Sequence, residues 1–373
     1  MSITAPKGFK AAALSAGIKR SGRPDLALLY SEVPAVAAGV FTSNQFKAAP
    51  IIVSQKQIKS GFCQAIISNA GSANCGTGKQ GIRDAYAMVN EVAKILGVNP
   101  RQVLVTSTGS IGKFLPMKNI IPAIRPLAHK LSKEGGRDLA RAIMTTDTRP
   151  KEIAVKVGGY TVAGVAKGAG MIHPNLATMH AFITTDAVIS RPLLQRMLKK
   201  AVDNSFNMIT VDQCQSTNDC VFALANGMSG VRVEGRGTKK FYEALERVCI
   251  YLAREIARDG EGATQLIEVR VSGARNEKEA RIAARAIAGS DLLKCAVYGR
   301  DHNLGRVLAA AGATGARINP DRMKAGMKFP ARGGQGRKET LVACDLGAGK
   351  AKATAWGCDL TEGYVKINAK YHT

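Results

Sequence analysis

Apolar residues recur every three or four positions in three stretches of the chain, and that spacing predicts three amphipathic helices. Residues 82–96 place Ile82, Ala85, Val89, Val92 and Leu96 on one face, with Gly97 and Pro100 ending the run. Residues 191–203 follow Ser190 as N-cap, carry Pro192 in the first turn and direct Leu193, Leu194, Met197, Leu198 and Ala201 inward. Residues 240–258 align Leu245, Val248, Leu252 and Ile256 and stop before Gly260. Short runs rich in β-branched residues predict strands at 64–68, 103–107, 265–271, 293–298 and 364–368. Residues 153–166 read as a hairpin, IAVKV and YTVAGVA joined at Gly158-Gly159. Strands and helices mix without the strict alternation of a doubly wound sheet, which gives an α/β class with the topology open.

Length and composition narrow the picture a little. At 373 residues the chain predicts one large or two interlocked domains. It is 46% hydrophobic but only 5% aromatic, so its core is built from Ala, Val, Ile and Leu. No stretch approaches the roughly 20 apolar residues of a membrane helix. The first residues show no apolar segment followed by a cleavage site, so a cytoplasmic location is expected. The eight cysteines include no C-x-x-C pair, Cys214 and Cys220 being the closest, and are expected to be ordinary thiols rather than metal ligands.

The formal charge of +25 is the outlier. Clustered Lys and Arg neutralise phosphates in nucleic-acid-binding proteins. Here they are spread along the chain. The densest part, 317–339, has seven basic and two acidic residues but only Phe329 for stacking. A basic surface that attracts acidic metabolites is the preferred reading.

The chemistry concentrates in KGAGMIHPNLATMHAFITTDA, which begins at Lys167. A glycine-rich turn leads through Pro174-Asn175 to a small-residue junction, Ala177-Thr178, and then to an apolar run from Met179 to Ile183. A threonine hydroxyl becomes a nucleophile when a base takes its proton. If the chain is cut just before Thr178, the new α-amine is that base, with an ordinary pKa of about 7.7–8.0. Residue type alone leaves a buried structural threonine the commoner outcome. His173 and His180 flank the junction, but no Ser or Cys sits in a G-x-S-x-G elbow, so packing or surface roles are expected for both. The KGAG glycines lack the spacing of a phosphate-binding loop.

This segment closely resembles the processing site of the ornithine acetyltransferases, the bifunctional glutamate N-acetyltransferases of arginine biosynthesis. The likeness continues in order through SNAGSANCGTGKQG (68–81), TSTGSIGKFLP (106–116), IMTTDTRPKE (143–152), SFNMITVDQCQSTNDC (205–220), DGEGATQLIEVRVSGA (259–274), NLGRVLAAAG (303–312) and ATAWGCDLTEGYVKINAKYHT (353–373). The chain departs from the family pattern at His302 and Leu304, where Pro and Trp are usual, around Asn74-Cys75, and at Lys370. None of these positions is the nucleophile.

The resemblance implies cleavage between Ala177 and Thr178, with Thr178 as the nucleophile of the mature enzyme. It assigns the oxyanion hole to the Thr108 hydroxyl and the Gly109 N–H, and substrate binding to Thr145, Lys167, Thr178, Glu261, Asn368 and Thr373. It implies ping-pong transfer of acetyl from N2-acetylornithine to glutamate without a bound cofactor or metal, with acetyl-CoA as a second donor in bifunctional members. It implies a two-domain α/β architecture of the N-terminal-nucleophile type, with sheets shared between an α fragment (1–177) and a β fragment (178–373). Two copies of each are expected to form a heterotetramer. Two other readings stay open: a self-processing aminopeptidase or amidohydrolase of related fold, and, on charge alone, a basic nucleic-acid-binding protein.

Overall fold

The computed structural model describes residues 2–173, 179–331 and 338–370. Strands β1 (Phe9–Leu14), β2 (Leu26–Phe41), β3 (Phe62–Ser72), β4 (Val103–Ser110), β5 (Lys151–Val157), β6 (Tyr160–Lys167), β7 (His180–Thr185) and β8 (Cys220–Ala225) form the larger sheet. Its order is β4-β3-β2-β8-β7-β6-β5, with β1 also on β2. Strands β9 (Leu266–Ala274), β10 (Lys324–Lys328), β11 (Glu339–Asp345) and β12 (Ala351–Cys358) form the smaller sheet, ordered β10-β11-β9-β12. Parallel pairs β3–β4, β7–β8 and β9–β11 sit among antiparallel ones, so the class is mixed α/β.

The larger sheet takes β1–β6 from before the Ala177-Thr178 junction and β7 and β8 from after it. Sharing is confined to this sheet, because β9–β12 all follow the junction. Strand β2 is 16 residues long, and its register against β3 shifts between Tyr30 and Ala35, around Pro34, which has no N–H to donate. Its first half pairs with β1 and its second with β8, so one strand links the two ends of the sheet.

Helical spacing located the long helices. They run Gly78–Leu96, Arg191–Asp203 and Arg236–Arg258, and the hairpin is β5–β6 with its turn at Gly158-Gly159. Gly97 ends the first helix in the left-handed conformation that glycine adopts without strain. Ser190 begins the second without a side-chain capping bond.

Two strand expectations are wrong. Residues 293–298 lie in the helix Asp291–Gly299, whose N-cap Ser290 accepts from the Leu293 N–H. Leu293, Ala296 and Val297 are buried at helical spacing there, so the β-branched residue was the weaker signal. Residues 364–368 lie in the helix Glu362–Ala369, where Thr361 accepts from the Tyr364 N–H and Glu362 occupies the first turn. In both, a capping hydroxyl outweighs strand propensity.

The helix Arg236–Arg258 buries Phe241, Leu245, Val248, Leu252 and Ile256 and packs on β5, β6, β9 and β12. It therefore carries one continuous core from the larger sheet to the smaller. Leu252→Ala is expected to cost about 2–5 kcal/mol, as the fully buried side chain leaves a cavity. Val365→Ala, at a position 63% exposed, should stay within about 0.5 kcal/mol. Paired denaturant titrations measure both, and equal midpoints would show that this helix does not hold the sheets together.

Candidate active site

The end of β4 supplies the first wall of the site. Gly109 has φ +132° and stands against β3, where a Cβ would lie 2.4 Å from the Gly71 carbonyl carbon. Only glycine fits there. A register irregularity at Gly71/Ser72 accompanies it, turning the Thr108-Gly109 peptide out of the regular ladder.

The end of β6 supplies a buried cation. Lys167 is 7% exposed and donates through Nζ to Thr145 Oγ1 at 2.9 Å and to Thr108 Oγ1 at 3.3 Å. In the β6–β7 register Lys167 stands opposite His180, two residues beyond Thr178. Burial pushes the Lys167 ammonium below its ordinary value, while Asp147 and, less strongly, Asp219 and Glu261 pull it back up.

Glu261 follows the helix Arg236–Arg258 and closes the opposite side. Its N–H donates to Ala169 O at 2.9 Å, and a Cβ on Gly170 would sit 2.3 Å from its carboxyl carbon. The glycines of KGAG thus let the backbone approach this carboxylate. Asn368 Nδ2 donates to Glu261 Oε2 at 2.9 Å and to Tyr364 O at 3.1 Å, fixing the last helix over the site.

Thr108, Gly109, Thr145, Lys167, Glu261 and Asn368 all line one cavity of about 290 Å³, near the small end of ligand pockets. Thr145 is the residue in contact with Lys167, and neighbouring Thr146 also lines the cavity. Met179, the residue after Thr178, lines it too. Ala177, Thr178 and Thr373 lie outside the described residues.

Three further residues belong to the site, of which Asn218 and Asp219 were not singled out from the sequence. Asn218 Nδ2 donates to Ala73 O at 2.6 Å and Ser107 O at 2.7 Å, tying the ends of β3 and β4 to the start of β8. Asp219 accepts from the Ser216 hydroxyl and the Met179 N–H, and burial pushes its carboxyl well up. Its Oδ2 has no partner among the described residues. Ser216-Thr217-Asn218-Asp219, a polar run directly before an apolar strand, was the signal available. His180, the third, bonds Asn218 O through Nε2 at 3.0 Å.

Burial, helped by the Lys167 charge, pushes His180 down to about 3. His173 contacts Thr210 Oγ1 and Arg285 at 3.0 Å each, and burial and Arg285 bring it to about 4. Both imidazoles are neutral packing groups at working pH, as expected. Among the described residues no group of three His, Cys, Asp or Glu side chains is arranged to hold a metal. Among the described residues no helix is long and apolar enough to cross a membrane, and all eight cysteines are free.

Residues 10–373 match the ArgJ family. The protein from Symbiobacterium thermophilum named arginine biosynthesis bifunctional protein ArgJ is 50% identical, over 100% of this chain and 98% of its own length. The chain belongs to the ArgJ family. The protein of the same name from Dehalococcoides mccartyi is 49% identical, over 100% of this chain and 97% of its own. A solved ornithine acetyltransferase complexed with ornithine, from Mycobacterium tuberculosis, is 44% identical with a TM-score of 0.46, covering 47% of this chain and 96% of that one. Family membership makes the protein an N-acetyltransferase of arginine biosynthesis.

A histidine held below its ordinary value stays neutral in the fold while the unfolded chain takes up a proton. For His180 the sign is therefore loss of stability as pH falls from about 6.5 towards about 3. His180→Asn keeps an N–H donor without the titration. Its unfolding free energy should fall less steeply between those values, the slope differing by close to one proton. Matched slopes in denaturant titrations at several pH values would show that His180 is charged in the fold.

Proposed function

We propose that this N-acetyltransferase moves acetyl from N2-acetylornithine to glutamate through an ester on Thr178, after cutting its own chain at Ala177-Thr178. The observation that supports this is the convergence, beside Met179, of an oxyanion-type pair, a buried ammonium and a buried carboxylate in one cavity.

In the first reaction the Thr178 hydroxyl attacks the Ala177 carbonyl carbon and the peptide nitrogen leaves as the α-amine of Thr178. Water then hydrolyses the ester, giving a carboxylate on Ala177 and restoring the hydroxyl. In the second, that α-amine takes the hydroxyl proton as Thr178 attacks the acetyl carbonyl of N2-acetylornithine. The developing oxyanion accepts from the Thr108 hydroxyl and the Gly109 N–H. Collapse of the tetrahedral intermediate passes the proton to the departing amine and releases ornithine. Glutamate then attacks the acetyl ester, so the two halves share one nucleophile and give ping-pong kinetics.

Charge complementarity supports the substrate class. Lys167 meets an α-carboxylate, common to acetylornithine and glutamate, while Glu261 meets the side-chain ammonium of the ornithine moiety. Thr145, Asn368 and Thr373 bond the remaining polar atoms. The same acetyl ester formed from acetyl-CoA makes that compound a second donor. Fragments 1–177 and 178–373, two copies of each, form the working enzyme in the cytoplasm.

A denaturing mass spectrum tests the reading. The wild type is expected to give two masses that sum to the chain plus one water, with threonine at the new amino terminus. Thr178→Ala should give one uncut mass and no transfer. A Thr178→Ala protein that still splits would sink the mechanism. In cut enzyme, Thr108→Val should lower kcat by roughly a hundred- to a thousandfold, the usual effect of one lost oxyanion donor. Ornithine release that proceeds equally without glutamate would make the enzyme a hydrolase.

A further inference from the structure

Asp147 belongs to none of the roles above, yet it is fully withdrawn from water and reaches both sides of the substrate pocket. Its Oδ2 accepts the Thr145 N–H at 3.0 Å. Its Oδ1 accepts the Gly168 N–H at 2.7 Å, directly after Lys167, and the Lys151 Nζ at 2.6 Å. Lys151 lies between two carboxylates, because its Nζ also donates to Asp259 Oδ2 at 2.6 Å. Asp259 in turn accepts the Thr148 N–H at 3.1 Å and the Thr148 hydroxyl. Three buried side chains, Asp147, Lys151 and Asp259, thus join the segment at the start of β5 to the end of the helix Arg236–Arg258.

We infer that Asp147 is a positioning residue for the substrate-carboxylate subsite: through their N–H groups it sets Thr145 and the Lys167-Gly168 turn, and it supplies the buried negative charge of that corner. This rests on the reading that Lys167 takes a substrate carboxylate.

The charges around Lys167 support the assignment. From neighbouring elements it faces Asp147, Lys151, Asp219 and Glu261, with Lys19 and His180 also within electrostatic reach. Of the acids, Asp147 acts on it most strongly. Asp219 is pushed up by its own burial, towards the neutral acid. Glu261 shares its carboxylate with Asn368. Asp147 is held well below the usual carboxylate range by Lys151 and Lys167 and its backbone donors, and so remains ionised. An ammonium this deeply buried loses its proton unless a nearby anion compensates. Without Asp147, Lys167 becomes neutral at lower pH, and a neutral amine no longer pairs with a carboxylate.

The test is the pH dependence of KM for N-acetylornithine, a readout that simple loosening of the fold leaves in place. In the wild type KM rises as pH climbs through the Lys167 titration. In Asp147→Asn that rise is expected at lower pH, because an opposite charge that favours the ammonium is gone. The lost backbone contact lowers kcat at every pH alike and does not move the midpoint. Lys151 keeps Asp259 as its partner, so this variant leaves no cation alone. Asp147→Glu is the second variant. It keeps the negative charge but moves the carboxylate by one methylene away from the Thr145 and Gly168 N–H groups, so KM should rise while the midpoint stays near the wild-type pH. If Asp147→Asn does not fold, Asp147→Glu decides, and wild-type kinetics there would overturn the role.

Lys167→Met separates the two levels of the argument. It should raise KM and abolish the pH-dependent rise. If it binds N-acetylornithine as the wild type does, the reading of Lys167 as the carboxylate partner fails. If it abolishes the rise while folded Asp147→Asn keeps the wild-type midpoint, the role given to Asp147 is overturned.

Discussion

Lys167 carries a charge with almost no access to water, and a buried ammonium persists only where acceptors and opposite charge replace its hydration. That requirement organises the site. Two threonine hydroxyls accept its protons, Asp147 stands nearest in electrostatic strength, and Asp219 and Glu261 complete the ring. They come from four separate parts of the chain, Thr145 and Asp147 sharing one, so the cation is satisfied only when the larger sheet, the hairpin and the long helix are assembled. Apart from Asp147, the same groups line the cavity. Stability of the buried charge and readiness to receive an anionic substrate are therefore one arrangement.

The position of the junction matters for the same reason. Residues 168–179 connect β6 to β7, adjacent antiparallel strands inside the larger sheet. The proposed cut falls within that connection, outside strands β6 and β7. Strands β7 and β8 remain held between β6 and β2, so the fragments stay joined by sheet pairing and by the core along the helix Arg236–Arg258. Lys167 and Thr108 precede the junction while Glu261 and Asn368 follow it. On the proposed cut, a complete site would draw on both fragments.

The buried carboxyl groups around the site are pushed in opposite directions. Asp147, with an ammonium neighbour and two backbone donors, is held ionised. Asp219 lies equally deep but pairs with a hydroxyl and one amide, and burial pushes it towards the neutral acid. Neighbours decide between the two. The net positive charge of the chain plays no visible part here, since the buried groups are balanced locally.

Helix positions were legible in the sequence because a 3.6-residue apolar period reflects one buried face, as in 191–203 and 240–258. So was the β5–β6 hairpin, whose Gly-Gly turn and alternation are local features. The helices at 293–298 and 362–369 were misread because their capping hydroxyls, Ser290 and Thr361, act only once the following amides turn to meet them. Ordered sequence blocks brought Thr108, Gly109, Thr145, Lys167, Glu261 and Asn368 forward as a set. Their meeting in one cavity depends on the strand order and on the Lys167–His180 register, which no local pattern encodes. Asn218 and Asp147 were out of reach for the same reason. Asn218 makes its bonds to Ala73 and Ser107 across more than a hundred residues of chain, and Asp147 draws its charge balance from Asp259 through Lys151. Sequence alone determined the kinds of groups available, whereas the tertiary fold decided which lost water together, and that sets their charge and their chemistry.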